Sequence, residues 1–286
     1  MVFLNQSLCT FPINEFPVGE IPVGRTSEPR NAHGYRCDEF HERKTINVVF
    51  IGDSWTEGSG VAFEKTFSQI SCTILSEKLG VPIANWNMGH GGKGYEYIAR
   101  TLMMTLDILE PDVVIVTLPS MDRREFFTEE INCLDLGVST LVAIDKGVIN
   151  PPPLIGELYG HYKGLRSQWD DAAKAIMNYK LIELLLNEKN VIWGYSTNDW
   201  PPAPNRIAEF IKYGFFDSSR YLGYVFEKVD QISDTDGHPA DKSHELYASR
   251  ICDWLLSRHG GKLSSIASYK ESEPPSNTGS VERRPE

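Results

Sequence analysis

Residues Val48-Val49-Phe50-Ile51 form an unbroken apolar run that stops at Gly52-Asp53-Ser54-Trp55-Thr56-Glu57-Gly58. Such a run has no polar face to offer water, so as a strand it must be covered on both sides, as in a parallel sheet between helical layers. Gly52 lets the chain turn and the polar stretch through Gly60 ends the run, which puts Asp53 and Ser54 in the loop at the carboxyl end of the strand. In open α/β sheets that edge is where ligands bind. An aspartate and a serine also suit the start of a helix, whose free N–H groups they cap. Ser54 therefore needs partners from elsewhere before it carries chemistry.

The pattern of strand, loop and helix repeats along the chain. After the strand at 46–51, residues 66–79 carry Phe67, Ile70, Ile74 and Leu75 at helical spacing, with Gly80 and Pro82 to stop the helix. Residues 83–88 form a second strand running into Gly89-His90-Gly91-Gly92-Lys93-Gly94, residues 95–109 a helix and residues 113–118 a third apolar strand. Three such units predict a doubly wound sheet. Past Pro119, the charges Asp122, Arg123, Arg124 and Glu125 read as the solvated first turn of a short helix. Residues 130–165, with five glycines and prolines between 147 and 156 and aromatic Tyr159 and Tyr162, read as an insertion bordering the site. A helix at 169–186, a strand at 191–195, a short helix at 205–213 and a last amphipathic helix at 242–256 complete the pattern. Residues 1–44, punctuated by Pro12, Pro17, Pro22 and Pro29, are expected to lie across the core as an extension, with an edge hairpin allowed by the rough alternation from Phe11 to Val23. Residues 263–286 read as a disordered tail, leaving 45–262 as the folded domain.

Composition removes several classes of function. A chain of 286 residues that is 41% hydrophobic can bury one sizeable core. Its net charge of −11, with no cluster of Lys and Arg, excludes nucleic acid as a partner. No stretch approaches the roughly 20 apolar residues that cross a bilayer, and no basic segment followed by an apolar core opens the chain. No membrane partner is expected, and a cytoplasmic location is. Cys9, Cys37, Cys72, Cys133 and Cys252 are odd in number and lack a C-x-x-C pair, so reduced structural thiols are expected and a zinc site is not. The glycine cluster fails as a phosphate loop because Lys93 is followed by Gly94 where Ser or Thr is needed.

A second piece of chemistry stands before the last helix, in Asp234-Thr235-Asp236-Gly237-His238-Pro239. A carboxylate close to an imidazole can accept the Nδ1 proton and leave Nε2 to take a proton from a hydroxyl. The same residues also suit a polar turn that caps a helix.

Together these segments, over roughly residues 31–258, resemble the SGNH/GDSL hydrolases, esterases and acyl hydrolases on a flavodoxin-like three-layer α/β/α sandwich with a mostly parallel sheet. Gly52-Asp53-Ser54 matches the first block, which implies Ser54 as nucleophile and its N–H as an oxyanion donor. Asn87-Met88-Gly89-His90-Gly91-Gly92 resembles the second, which implies the Gly92 N–H as another donor. Asp236-Gly237-His238-Pro239 resembles the last, implying His238 as base and Asp236 as its acid, with Asp234 in reserve. Asn31-Ala32-His33-Gly34-Tyr35-Arg36 is similar to a lead-in that some members carry. Trp55-Thr56 after the serine departs from the Gly-x-Ser-x-Gly elbow of ordinary α/β-hydrolases. The third block departs from the family: Leu118-Pro119-Ser120-Met121-Asp122 puts Met121 where the oxyanion asparagine belongs. Loss of one such donor typically costs about 3–4 kcal/mol, and Ser120 and Arg123 are the candidate replacements. The resemblance implies a serine esterase acting on an ester of a small molecule or carbohydrate, O-acetyl groups among them, with no metal or organic cofactor. Met121 keeps two other readings open, an acyltransferase and a catalytically silent binding module. A nucleotide binder on the same fold would instead show nucleotide affinity at the glycine loop.

Overall fold

The computed structural model describes residues 30–127, 134–147, 150–151, 153–198 and 203–272. In chain order, β1 (Ile46–Ile51) leads through the one-turn helix α1 (Ser54–Glu57) to α2 (Phe67–Leu79), and β2 (Ile83–Asn87) leads to α3 (Tyr95–Leu109). β3 (Val113–Leu118) precedes β4 (Arg124–Phe126) and β5 (Leu134–Leu136), followed by α4 (Val138–Asp145), α5 (Pro153–Leu165) and α6 (Gln168–Glu188). β6 (Ile192–Thr197), α7 (Ala203–Lys212) and α8 (Asp241–Ser272) complete the described chain.

The central sheet has the order β2-β1-β3-β6 and is parallel throughout. Isolated parallel bridges from Tyr195 to Tyr221 and from Asn198 to Phe226 continue it past β6. That order is the flavodoxin-like one, and its ligand edge lies at the carboxyl ends of the strands. Alternation along each strand divides the core in two. Val49, Ile51, Trp86, Val114, Val116, Trp193 and Tyr195 face α3, α6 and α7, whereas Val48, Phe50, Val113, Ile115 and Ile192 face α2 and α8. All six residues of β1 are buried, so the apolar run is covered from both sides and the three layers are those expected.

Helix ends follow local chemistry. The Thr66 hydroxyl accepts from Gln69 N to start α2, and Gly80, at φ 73°, closes it with its N–H on Ser76 O. Asp230 caps α8 by accepting the N–H groups of Lys242 and Ser243 at 3.0 and 2.9 Å.

Two expectations are corrected. The charges at 122–125 do not begin a helix: Arg124 and Glu125 lie in β4, antiparallel to β5. The partners that make this possible are distant in sequence: Arg124 pairs with Asp171 at 2.9 Å, and Arg100 pairs with Glu125 at 2.8 Å. The tail expected from 263 is helical as far as Ser272, because Leu263 and Ala267 are buried against the α2 face and Lys270 Nζ reaches both Asp112 carboxylate oxygens at 2.7 and 2.8 Å. Residues 273–286 lie outside the described residues. Within the segment 130–165, β5, α4 and α5 gather Leu136, Leu141 and Tyr159 into a small cluster of their own. Of the N-terminal extension, residues 30–44 pack on the core through Tyr35 and Phe40, and the edge hairpin lies outside the described residues. Among the described residues no helix is long and apolar enough to cross a membrane.

Candidate active site

Ser54 is the first residue of α1, and Asp53 before it is the cap, its Oδ1 accepting from Trp55 N at 3.0 Å. The capping role and the exposed-edge role expected from the sequence thus fall to neighbouring residues. Gly52 serves by its size rather than by an unusual dihedral: a Cβ there would stand 2.2 Å from Thr56 Oγ1 and 2.7 Å from Thr117 O. Asp53 is fully buried, and its Oδ2 takes an ion pair from Arg123 Nη1 at 2.7 Å and a longer contact from Asn198 Nδ2 at 3.4 Å. A buried carboxylate without such partners would be strongly disfavoured.

The loop before α8 brings the imidazole to this edge. Asp230 anchors one end as the α8 cap, Ile232 N donates to His238 O at 3.0 Å, and Ser233 Oγ accepts from Asp236 N at 3.0 Å. Desolvation would raise the Asp230 carboxyl, but the Ser243 hydroxyl and the N–H groups of Ser243, Lys242 and Ala240 outweigh it and hold the group below the usual carboxylate range. His238 Nε2 lies 3.0 Å from Ser54 Oγ, and His238 Nδ1 lies 2.6 Å from Asp236 Oδ1. The same Asp236 oxygen accepts the His238 backbone N–H at 3.1 Å. Of the two aspartates weighed from the sequence, Asp236 faces the ring, while Asp234 is exposed.

The glycine loop closes the other side. A Cβ built on Gly91 would stand 3.8 Å from Ser54 Cβ, so this loop runs beside the serine. Gly91 N donates to Glu57 Oε2 at 2.9 Å, and Glu57 Oε1 receives Arg30 Nη2 at 2.6 Å. Desolvation would raise the Glu57 carboxyl, but His90, Arg30 and the Gly91 N–H together hold it down. Burial pushes His90 itself downward, so the ring is neutral near pH 7, and there Arg30 and Gly91 supply the effect. Gly92 follows at φ 81°, a left-handed conformation that suits glycine. Neither the Ser54 nor the Gly92 N–H has an acceptor among the described residues. Lys93, buried, fixes the loop to the β4–β5 hairpin through Asp135 at 2.6 Å and Glu125 at 3.5 Å.

At the end of β3 the candidates for the third donor separate. Ser120 Oγ is engaged by Asp122 Oδ1, and Met121 is buried and has no hydrogen to donate. Arg123 Nη1 reaches Lys93 O at 3.0 Å as well as Asp53. Sequence reasoning did not anticipate Glu57, Lys93 or Asn198 at this edge. Their roles depend on non-local contacts for which no short motif exists.

No family model and no curated protein matches the chain. Among solved structures it is similar to a lipase from a goat rumen metagenome, at 15% identity and a TM-score of 0.46, over 73% of this chain and 97% of that one. It is similar to TesA at 14% identity and a TM-score of 0.47, over 74% of this chain and 98% of the other. A lipolytic protein of the G-D-S-L family from Desulfitobacterium hafniense gives 16% identity and a TM-score of 0.39, over 73% and 99%.

Proposed function

We propose that this chain is a serine esterase that cleaves an acyl ester through Ser54, His238 and Asp236. The observation that carries the reading is the unbroken hydrogen-bond chain from Ser54 Oγ to His238 Nε2 at 3.0 Å and from His238 Nδ1 to Asp236 at 2.6 Å, made by residues 184 positions apart. A hydroxyl in contact with an imidazole that is oriented by a carboxylate is the arrangement that activates a serine nucleophile. In the first step Ser54 Oγ bonds to the ester carbonyl carbon while its proton passes to Nε2 and the carbonyl π pair moves onto oxygen. The N–H groups of Ser54 and Gly92 receive that charge. His238 then protonates the departing alcohol as the carbon–oxygen bond breaks. Water, deprotonated by the same nitrogen, releases the acid and regenerates Ser54. Asp236 stabilises the imidazolium in both halves. An O-acetyl group on carbohydrate is the substrate class to assay first, following the sequence resemblance.

Ser54→Ala and His238→Ala are each expected to abolish hydrolysis of p-nitrophenyl acetate, and a fluorophosphonate is expected to label Ser54. Retained activity in either variant would overturn the assignment. Burial of Met121 beside the site favours the second reading, a silent binding module. That reading predicts no labelling. Labelling combined with acyl transfer to a sugar in place of water would instead mark an acyltransferase.

A further inference from the structure

We infer that Arg123 is the side chain that meets the charge forming on the substrate carbonyl oxygen, a third donor beside the N–H groups of Ser54 and Gly92. The inference rests on the esterase reading and adds a catalytic residue to it. Arg123 Nη1 donates to Asp53 Oδ2 at 2.7 Å and to Lys93 O at 3.0 Å. Those are the residues immediately before Ser54 and immediately after Gly92, so one nitrogen touches the flank of each backbone donor. Both contacts are made by Nη1. Among the described residues no acceptor takes Nε or Nη2, and the side chain keeps 18% exposure, so these donors remain available to a ligand.

Among the described residues the neighbours of Arg123 at the end of β3 are already engaged or lack a donor. The Ser120 hydroxyl is taken by Asp122, Met121 has no donor, and the Asn198 amide is buried against Asp53. The position of Arg123 is set by close packing: a Cβ on Gly94 would come within 2.8 Å of Arg123 O, and one on Gly137 within 3.2 Å of Arg123 Cγ. A guanidinium cannot lose its proton in this range of pH, and its planar fork can hold a carboxylate on one nitrogen while offering another to an oxyanion. The pairing with Asp53 leaves the empty site without a net charge there. As the bond from Ser54 Oγ to the carbonyl carbon forms and the π pair moves to oxygen, the fixed N–H groups of Arg123 gain a hydrogen bond to an anion and exchange no proton.

The experiment separates this role from mere neutralisation of Asp53. Arg123→Ala is expected to lower kcat for p-nitrophenyl acetate about a hundred- to thousandfold with KM nearly unchanged, the usual loss for one oxyanion donor. Added guanidinium chloride at millimolar concentration is expected to restore part of kcat to that variant and to leave the wild type unaffected. The double variant Asp53→Asn/Arg123→Ala contains no unpaired buried carboxylate, and it is expected to keep the deficit of the single variant. Recovery of wild-type kcat in the double variant, or a single variant whose kcat falls less than fivefold, would overturn the inference. Labelling of wild-type Ser54 by a fluorophosphonate shows independently that the esterase reading stands. A wild type that is neither labelled nor active removes that reading and this inference with it.

Discussion

Asp236→Asn tests the most exposed of the three residues assigned to proton transfer. Its Oδ1 meets His238 Nδ1 at 2.6 Å and the His238 N–H at 3.1 Å, yet 44% of its side chain is open to solvent. A hydrogen bond to a charged group contributes about 1.5–3 kcal/mol. Water screens a carboxylate this exposed, which places it at the low end of that range. Asparagine keeps the shape and one acceptor oxygen but removes the charge that steadies the imidazolium. A loss of about 1.5–2 kcal/mol from the transition state corresponds to roughly a 10- to 30-fold fall in kcat. His238→Ala removes the base itself and is expected to leave no measurable turnover, a loss of at least about 10⁴. Asp234→Asn, at an exposed position, should leave kcat within about twofold of wild type, because surface charges away from a contact contribute little. Initial rates with p-nitrophenyl acetate across pH 6–9, with kcat and KM resolved and thermal unfolding as a control for folding, read all three. If Asp236→Asn leaves kcat within about twofold of wild type, or if Asp234→Asn falls further than Asp236→Asn, the assignment of the acid is wrong.

Two further predictions concern stability. His244 is sealed in the core with Nδ1 accepting from Phe67 N at 3.1 Å, and burial pushes its imidazole down to about 3. Because the folded-state value lies below the unfolded one, the unfolded chain takes up the proton first; the contribution is complete above about pH 6.5 and is lost as pH falls toward 3. The urea midpoint should therefore drop across that window by up to about 1.4 kcal/mol of stability per pH unit from this group, and His244→Phe should show a shallower acid slope from a lower starting stability at pH 8. An unchanged slope in the variant would show that His244 does not titrate as the structure implies. Ending the chain after Lys262 removes the buried Leu263 and Ala267 and the pair of Lys270 with Asp112. The expected cost is about 2–4 kcal/mol, or roughly 5–15 °C in Tm, and a shift under 2 °C by calorimetry would mean that the last turns of α8 do not pack in solution.

The strands and most helices could be read from the residues because their signals are local. Val48 to Ile51 and Val113 to Leu118 are apolar without interruption, and a run of that kind must be buried wherever the chain folds. The approach of Ser54 to His238 was not local, and only the resemblance to a known order of motifs anticipated it. The end of α8 is not legible in the sequence because Gly260-Gly261 and the polar residues that follow lower helix propensity, by about 1 kcal/mol for each glycine. Burial of Leu263 and Ala267 and the reach of Lys270 to Asp112 offset that penalty, and neither is visible in a window of sequence. Glu57 gave no signal at all, since its partner Gly91 lies 34 residues away.

The pairing of the charges from Asp122 to Glu125 has the largest consequence for the site. A run of charges is ordinarily assigned to solvent because an unpaired buried charge is prohibitive. Here three members have partners that only the fold supplies, since Arg123 holds Asp53, Arg124 holds Asp171, and Glu125 holds Arg100 and Lys93, while Asp122 holds the nearby Ser120 hydroxyl. Two of those partners, Asp53 and Lys93, adjoin Ser54 and Gly92 in sequence. The segment after β3 therefore ties the serine turn and the glycine loop to one another and to the hairpin of β4 and β5, with Lys93 joined to that hairpin again through Asp135. Substitutions on the hairpin that break these pairs should accordingly change the position of the backbone donors, and hence kcat, whereas changes to exposed charges on α6 such as Lys174 should not. Electrostatic coupling of this kind is why the geometry of the nucleophile cannot be understood from the strands that carry it alone.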